Sequence, residues 1–225
     1  MSPTLSRRLQ LKRAFDLVFS CMGLVALLPL MVLILVAVWG SDRGPGLIAQ
    51  ERTGRDRRSF RMFKFRTMIM NAEHATGATW SWDGDPRITR LGKVLRATHL
   101  DELPQLWNVL RGEMSLVGPR PERPVFVDQL ERVIPGYTHR LAIRPGITGL
   151  SQLRSGYDDS LRSVKRKIRY DLLYVRRACA LLDALILLDT ILLMVGLSGG
   201  LALRKVAVHV PAPRWPNIHV RPLRS

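Results

Sequence analysis

Cysteine is scarce in this sequence, and acid is scarcer than base. Two cysteines, Cys21 and Cys179, both lie in apolar segments. They exclude a disulfide framework and a cysteine zinc site, and they fit a reducing compartment. The five histidines (His74, His99, His139, His209, His219) are scattered and lack metal-ligand spacing. No Walker-type glycine loop is present, and no Gly-x-Gly-x-x-Gly follows a strand, so two common phosphate cradles are missing. There is no internal repeat and no low-complexity block. Eighteen acids face 35 lysines and arginines, a formal net charge of +17. Such a surplus calls for polyanionic partners: nucleic acid, an anionic membrane or phosphorylated substrates. No nucleic-acid motif accompanies it, and the apolar residues come in blocks, which favours the membrane.

The first block, residues 14–39, carries a single charge, Asp16. A bilayer span needs about 20 apolar residues. The block is longer than the core of a cleaved signal, about 7–15 residues, and no small-x-small site follows it. Pro29 removes a backbone donor near its middle, so a kink is expected there. Basic residues flank both ends, Arg7 to Arg13 before and Arg43 to Arg58 after, so the positive-inside rule gives no orientation. Two readings stand from the residues alone: a hairpin that enters and leaves on one face, turning at Pro29, or a spanning helix with a tolerated proline.

Beyond it, residues 47–52 and 59–66 are expected to pair as a β-hairpin around Gly54-Arg55-Asp56. Phe60 and Met62 compete with Phe63 and Phe65 for its inner face, and the bland reading of Lys64 and Arg66 is a solvated basic face. Residues 71–86 read as a loop with Trp80 and Trp82. Helices are expected over 87–97, 103–110, 124–134 and 161–177. The apolar stretch 178–202 is interrupted by Asp183 and Asp189, charges expensive in a span, so an interfacial or partly buried helix is expected. Residues 203–225 read as a disordered basic tail able to touch anionic lipid.

Chemistry concentrates at His99-Leu100-Asp101-Glu102-Leu103-Pro104. Two adjacent acids stand at the start of an apolar helix, with Pro104 in its first turn. Capping is the ordinary role for such acids. Here arginines and lysines crowd both sides, and a carboxylate held ionised by cations is available as a nucleophile or a metal ligand. Mg²⁺ is the ion suited to one or two carboxylates plus phosphate oxygens. Arg120, fixed between Pro119 and Pro121, offers a planar fork to phosphate. Lys64, Arg66, Arg87 and Arg96 are weaker phosphate candidates.

Five motifs occur in order: Lys64-Phe65-Arg66-Thr67-Met68, Asp85-Pro86-Arg87-Ile88-Thr89-Arg90-Leu91-Gly92, residues 100–110, Met114 to Pro121, and Arg144-Pro145-Gly146-Ile147-Thr148-Gly149. Together they resemble the bacterial sugar transferase family, the monotopic phosphoglycosyl transferases, over about Lys12 to Gly199. The resemblance implies an α/β fold, mostly α with a small β-hairpin. Residues 1–40 would form a basic N-terminus and a re-entrant membrane helix broken at Pro29. Residues 41–202 would form a cytosolic catalytic domain with interfacial amphipathic helices, and 203–225 the tail. It also implies transfer of a sugar 1-phosphate from a UDP-sugar to polyprenol phosphate with release of UMP, at the cytoplasmic face of a bacterial inner membrane and with both termini cytoplasmic. Asp101 would be the nucleophile and meet Mg²⁺, Glu102 would assist, and Arg120 would hold phosphate. Two departures stand out: Leu28 precedes the membrane proline where serine is common, and His99 occupies a position where a hydroxyl residue or tyrosine is frequent. Two other classes are weighed against this one: a non-catalytic basic membrane adaptor, whose acids would be caps, and a nucleic-acid binder, which the absence of motifs disfavours.

Overall fold

The computed structural model describes residues 3–74, 77, 79, 82, 84–154 and 161–196. The tail at 203–225 and Trp80 lie outside the described residues. Helix α1, Pro3–Asp42, is one element of 40 residues with Pro29 inside it. The reversal expected at Pro29 is therefore not made by two separate helices; the helix continues through the proline, at the loss of one backbone donor.

The two sides of α1 differ. Lys12, Asp16, Ser20, Ile34 and Val38 are buried against the rest of the chain, while Val18, Met22, Val25, Leu28, Val32 and Val36 are exposed. Leu9–Asp42 contains a window long and apolar enough to cross a membrane, and only 11% of that window is buried. A continuous exposed apolar face of this size needs a cover other than water. The inward stripe recurs every three or four residues on both sides of Pro29. It puts Gly23 against Leu106, and Ile34 and Val38 against Phe65 and Leu95. Arg13 donates to the carbonyls of Val109 (2.7 Å) and Leu110 (3.0 Å) near one end, and Asp42 pairs with Arg66 at the other. Both ends of α1 are thus fastened to one body.

Strands β1 (Leu47–Thr53) and β2 (Ser59–Phe65) form the expected antiparallel hairpin, with Leu47 opposite Phe65 and Thr53 opposite Ser59. Alternation along β2 puts Phe60, Met62 and Lys64 on one face and Phe63 and Phe65 on the other. Phe60 and Met62 enter the main core with Val109, Met114, Val117, Tyr174 and Ile186. Phe65 packs on α1. Both faces are covered, so the competition between the two aromatic sets has no loser, and Lys64 falls on the buried stripe.

Helix α2 (Arg90–Ala97) starts at Thr89, whose hydroxyl accepts from the Gly92 N–H at 2.9 Å. Helix α3 (Gln105–Arg111) leads to β3 (Ser115–Val117), which pairs in parallel with β4 (Gly146–Thr148). The two strands leave room only for glycine at their ends: a Cβ on Gly146 would meet the Gly118 nitrogen at 2.0 Å. Between them α4 (Pro124–Val133) and a 3₁₀ stretch (Tyr137–Ala142) build a second core with Val164 and Ile168.

After α5 (Leu150–Arg154), α6 (Leu161–Arg177) has the expected bounds. Helix α7 (Ala180–Met194) is shorter than expected. Its 15 residues reach about 22 Å, short of the roughly 30 Å of a hydrocarbon core. Its polarity is inverted: Asp183 and Asp189 face inward, while Leu181, Leu188 and Ile191 are exposed.

Candidate active site

His99 adopts a left-handed conformation (φ 56°), which ends α2 and opens a 3₁₀ turn over Leu100–Glu102. Leu103 and Pro104 stay in the right-handed helical region, so the turn runs directly into α3. The acids stand one turn ahead of α3, with Pro104 at its cap position. Asn108 fixes α3 to the hairpin. Its Oδ1 accepts from the Phe63 N–H at 3.0 Å, and its Nδ2 donates to the Arg61 carbonyl at 2.8 Å and to Glu113 at 2.7 Å. That seating brings Lys64 to the acid pair.

Asp101 and Glu102 are 7% and 8% exposed. Glu102 takes the cations: Oε1 accepts from Lys64 Nζ at 2.9 Å and from Arg120 at 2.6 Å. Burial alone would raise the Glu102 carboxyl, but Arg120 and Lys64 outweigh it and hold it far below the usual carboxylate range. Asp101 goes the other way. Burial pushes its carboxyl up, Glu102 adds to the rise, and Lys64, Arg120 and Arg96 only partly oppose it. Adjacent carboxyls driven apart in this manner are suited to different roles. The expectation that the cations chiefly hold Asp101 ionised is corrected: their hydrogen bonds go to Glu102. Among the described residues, no side chain hydrogen-bonds the Asp101 carboxylate.

This difference decides which acid suits a metal. Among the described residues no group of three or more His, Cys, Asp or Glu side chains could hold an ion. Mg²⁺ commonly takes one or two carboxylates and completes its shell with phosphate oxygens and water. Asp101 fits that donor set, and Glu102, occupied by two cations, does not.

Lys64 and Arg120 are therefore brought to the acid pair. Arg96 donates from Nε to Thr67 Oγ1 at 2.8 Å, and its charge reaches Asp101. Arg66 and Arg87 have other partners. Arg66 pairs with Asp42 and donates to the Pro45 carbonyl at 2.7 Å, which fastens the end of α1. Arg87 grips the buried Asp85 at 2.7 Å and 2.9 Å, and lies 5.1 Å from the Trp82 ring centroid.

Three residues near Arg120 were not singled out from the sequence. Arg52 on β1 donates to the Pro121 carbonyl at 3.2 Å. Arg140 donates to the Arg120 carbonyl at 2.8 Å, and Asp171 on α6 pairs with Arg140 at 2.7 Å. Signals existed. Arg52 lies opposite Phe60 in the hairpin register, so it shares the buried face. Asp171 lies on the inward stripe of α6 with Val164, Ile168 and Tyr174.

Known proteins of similar sequence share a family with this chain. The chain is 42% identical over 181 residues to an Aeromonas hydrophila protein named UDP-N-acetylgalactosamine-undecaprenyl-phosphate N-acetylgalactosaminephosphotransferase; the match covers 80% of this chain and 43% of that one. It is 42% identical over 183 residues to a Xanthomonas campestris UDP-glucose:undecaprenyl-phosphate glucose-1-phosphate transferase, covering 80% and 38%. It is 38% identical over 188 residues to the exopolysaccharide production protein PSS of Rhizobium leguminosarum, covering 81% and 94%. The chain thus spans less than half the length of the first two and nearly all of the third. The family model described as bacterial sugar transferase matches residues 7–196, and the chain belongs to that family.

Proposed function

We propose that this chain transfers a sugar 1-phosphate from a UDP-sugar to undecaprenyl phosphate and releases UMP, through a covalent phosphosugar on Asp101. The observation that carries this reading is the unequal treatment of the two acids: Glu102 is held by Lys64 and Arg120, while among the described residues no side chain hydrogen-bonds the Asp101 carboxylate. In the first step an Asp101 oxygen attacks the phosphorus that bears the sugar. The bond from that phosphorus to the bridging oxygen breaks, and the electron pair leaves with UMP. In the second step an oxygen of the lipid phosphate attacks the same phosphorus, the aspartyl bond breaks, and Asp101 is regenerated. Lys64 and Arg120 supply positive charge where the diphosphate oxygens gather. Glu102 assists by fixing both cations; held far below the usual carboxylate range, it is a poor base for the proton of the lipid phosphate. Mg²⁺, held by Asp101 when bound, would shield the donor diphosphate. Arg66 and Arg87 serve the framework in this reading, and Arg96 adds charge from a second row.

The membrane reading follows from α1. A helix that crossed the bilayer away from the body would leave its far end without protein contacts, yet both ends of α1 are fastened to the body. We therefore read α1 as re-entrant, with both ends on the cytoplasmic face of the inner membrane. Helix α7 lies in the interface, with its leucines toward lipid and its acids inward. Single cysteines Leu5→Cys and Pro45→Cys, in a variant lacking Cys21 and Cys179, are expected to label from the same side. Labelling from opposite sides removes the re-entrant topology.

The function is tested by UMP release from a panel of UDP-sugars with undecaprenyl phosphate and Mg²⁺. One UDP-sugar is expected to turn over. Arg120→Ala is expected to lower kcat/KM for that donor about 10- to 100-fold, the scale of a lost charge-assisted phosphate contact. If no UDP-sugar turns over, the transferase reading fails and the membrane adaptor replaces it.

A further inference from the structure

The Pro119-Arg120-Pro121 segment can supply few backbone donors of its own, because its two prolines have no N–H. Its carbonyls are instead gripped from outside, one after another. The Pro119 carbonyl accepts from the Gly146 N–H at 3.0 Å, and the Glu122 carbonyl accepts from the Thr53 N–H at 2.9 Å. The Arg120 carbonyl accepts from the Arg140 guanidinium at 2.8 Å, and the Pro121 carbonyl accepts from Arg52 at 3.2 Å. Four consecutive carbonyls are held by four donors from three parts of the fold: β1, the 3₁₀ stretch and β4.

Arg140 is the most deeply set of the two guanidiniums. It is 3% exposed and its partner Asp171 is 2% exposed. Its Nε donates to Asp171 at 2.8 Å, and a terminal nitrogen donates to the Tyr137 hydroxyl at 3.0 Å. The other terminal nitrogen reaches both Asp171, at 2.7 Å, and the Arg120 carbonyl. A buried ion pair adds little net stability over an apolar filling of the same shape, because desolvation offsets the attraction. Its particular product here is direction. Asp171 Oδ2 meets one edge of the guanidinium, at Nε and at one terminal nitrogen, and aims that nitrogen at the backbone that carries Arg120. The same helix face carries Tyr174, whose hydroxyl shares its one proton between the Val117 carbonyl at 2.9 Å and Asp183 at 2.6 Å. Helix α6 thus braces both ends of the segment 117–120.

We infer that Arg140 and Asp171 are positioning residues for Arg120: the buried pair sets where the Arg120 guanidinium stands relative to the donor phosphates. The inference rests on the reading of Arg120 as a phosphate clamp. It predicts that Asp171→Asn, which removes the charge with little change of shape, lowers kcat/KM for the UDP-sugar about 10- to 100-fold, the scale of a small misplacement of a catalytic group. KM for undecaprenyl phosphate is expected to stay within about twofold.

The deciding experiment is a double-mutant cycle on the full chain. In an Arg120→Ala background, Asp171→Asn is expected to change kcat/KM less than about twofold, because the group it positions is gone. Effects that multiply, or a loss in Asp171→Asn shared equally by donor and lipid substrate, overturn the inference and leave the transferase reading intact. If Arg120→Ala itself leaves kcat/KM unchanged, the clamp reading falls and this inference falls with it. Thermal unfolding of each variant checks the fold. Should Asp171→Asn not fold, Arg140→Lys closes the same cycle, since a lysine ammonium keeps Asp171 but cannot span to the Arg120 carbonyl as well.

Discussion

Asp101→Asn is expected to lower turnover by about four orders of magnitude, the scale seen when a covalent nucleophile or its partner is removed, while the chain stays folded. The geometry separates the two effects. Among the described residues no side chain hydrogen-bonds the Asp101 carboxylate, so asparagine breaks no such bond. Burial already works against the Asp101 charge, so removing it leaves stability unchanged or slightly higher. Glu102→Gln is the informative contrast, because it takes the anion from between Lys64 and Arg120 and leaves two cations facing each other. Intact-protein mass after incubation with the donor checks the first claim. Wild type is expected to gain the mass of a sugar phosphate, and the Asp101→Asn protein is expected to gain nothing. An adduct of equal yield in the variant would place the nucleophile elsewhere.

Much of this site was legible in the sequence, and the reasons are local. The hairpin is readable because turn residues at 54–56 separate two short runs of strand residues. The bounds of α6 are readable because its apolar positions keep a helical period between Leu161 and Arg177. The acid pair is readable as chemistry because adjacent carboxylates in a basic neighbourhood are uncommon. What was not legible depends on distance. Arg66 and Arg87 look alike in sequence to Lys64 and Arg120. Only the fold gives Arg66 to Asp42, 24 residues away; Arg87 takes Asp85 two positions before it, a local pair that the sequence did not single out. The same limit hid the division between Asp101 and Glu102. Sequence places both acids in one cationic field, and the side-chain directions then give the hydrogen bonds of Lys64 and Arg120 to one of them.

The second large effect is on stability, at the root of α1. Lys12→Met is expected to destabilise the protein by about 3–5 kcal/mol, the usual result of leaving one member of a buried ion pair behind. For a chain of this size that amounts to a fall of roughly 6–20 °C in Tm. Lys12 is 5% exposed and joins three elements. Its Nζ donates to Asp183 on α7 at 2.5 Å, and to Ser115 Oγ at 2.6 Å and the Val117 carbonyl at 2.9 Å on β3. Asp183 is 0% exposed. Tyr174 also donates to Asp183, at 2.6 Å, but a hydroxyl does not balance a buried carboxylate. The inward turn of Asp183 on α7 has its explanation here: a lysine from α1 meets it. Lys12 is therefore a clasp that joins α1 to α7 and to β3, the strand that leads into Gly118-Pro119-Arg120. Thermal unfolding in detergent or nanodiscs measures the cost. The double variant Lys12→Met, Asp183→Leu is expected to recover part of the lost Tm, since it removes the stranded Asp183 charge but leaves the buried Asp16, 4.0 Å from Lys12 Nζ, to Ser115 Oγ and the Leu116 N–H. An unchanged Tm in Lys12→Met would mean that α1 is held by its apolar stripe alone. Failure of the double variant to recover would instead put the energy in the hydrogen bonds to Ser115 and Val117.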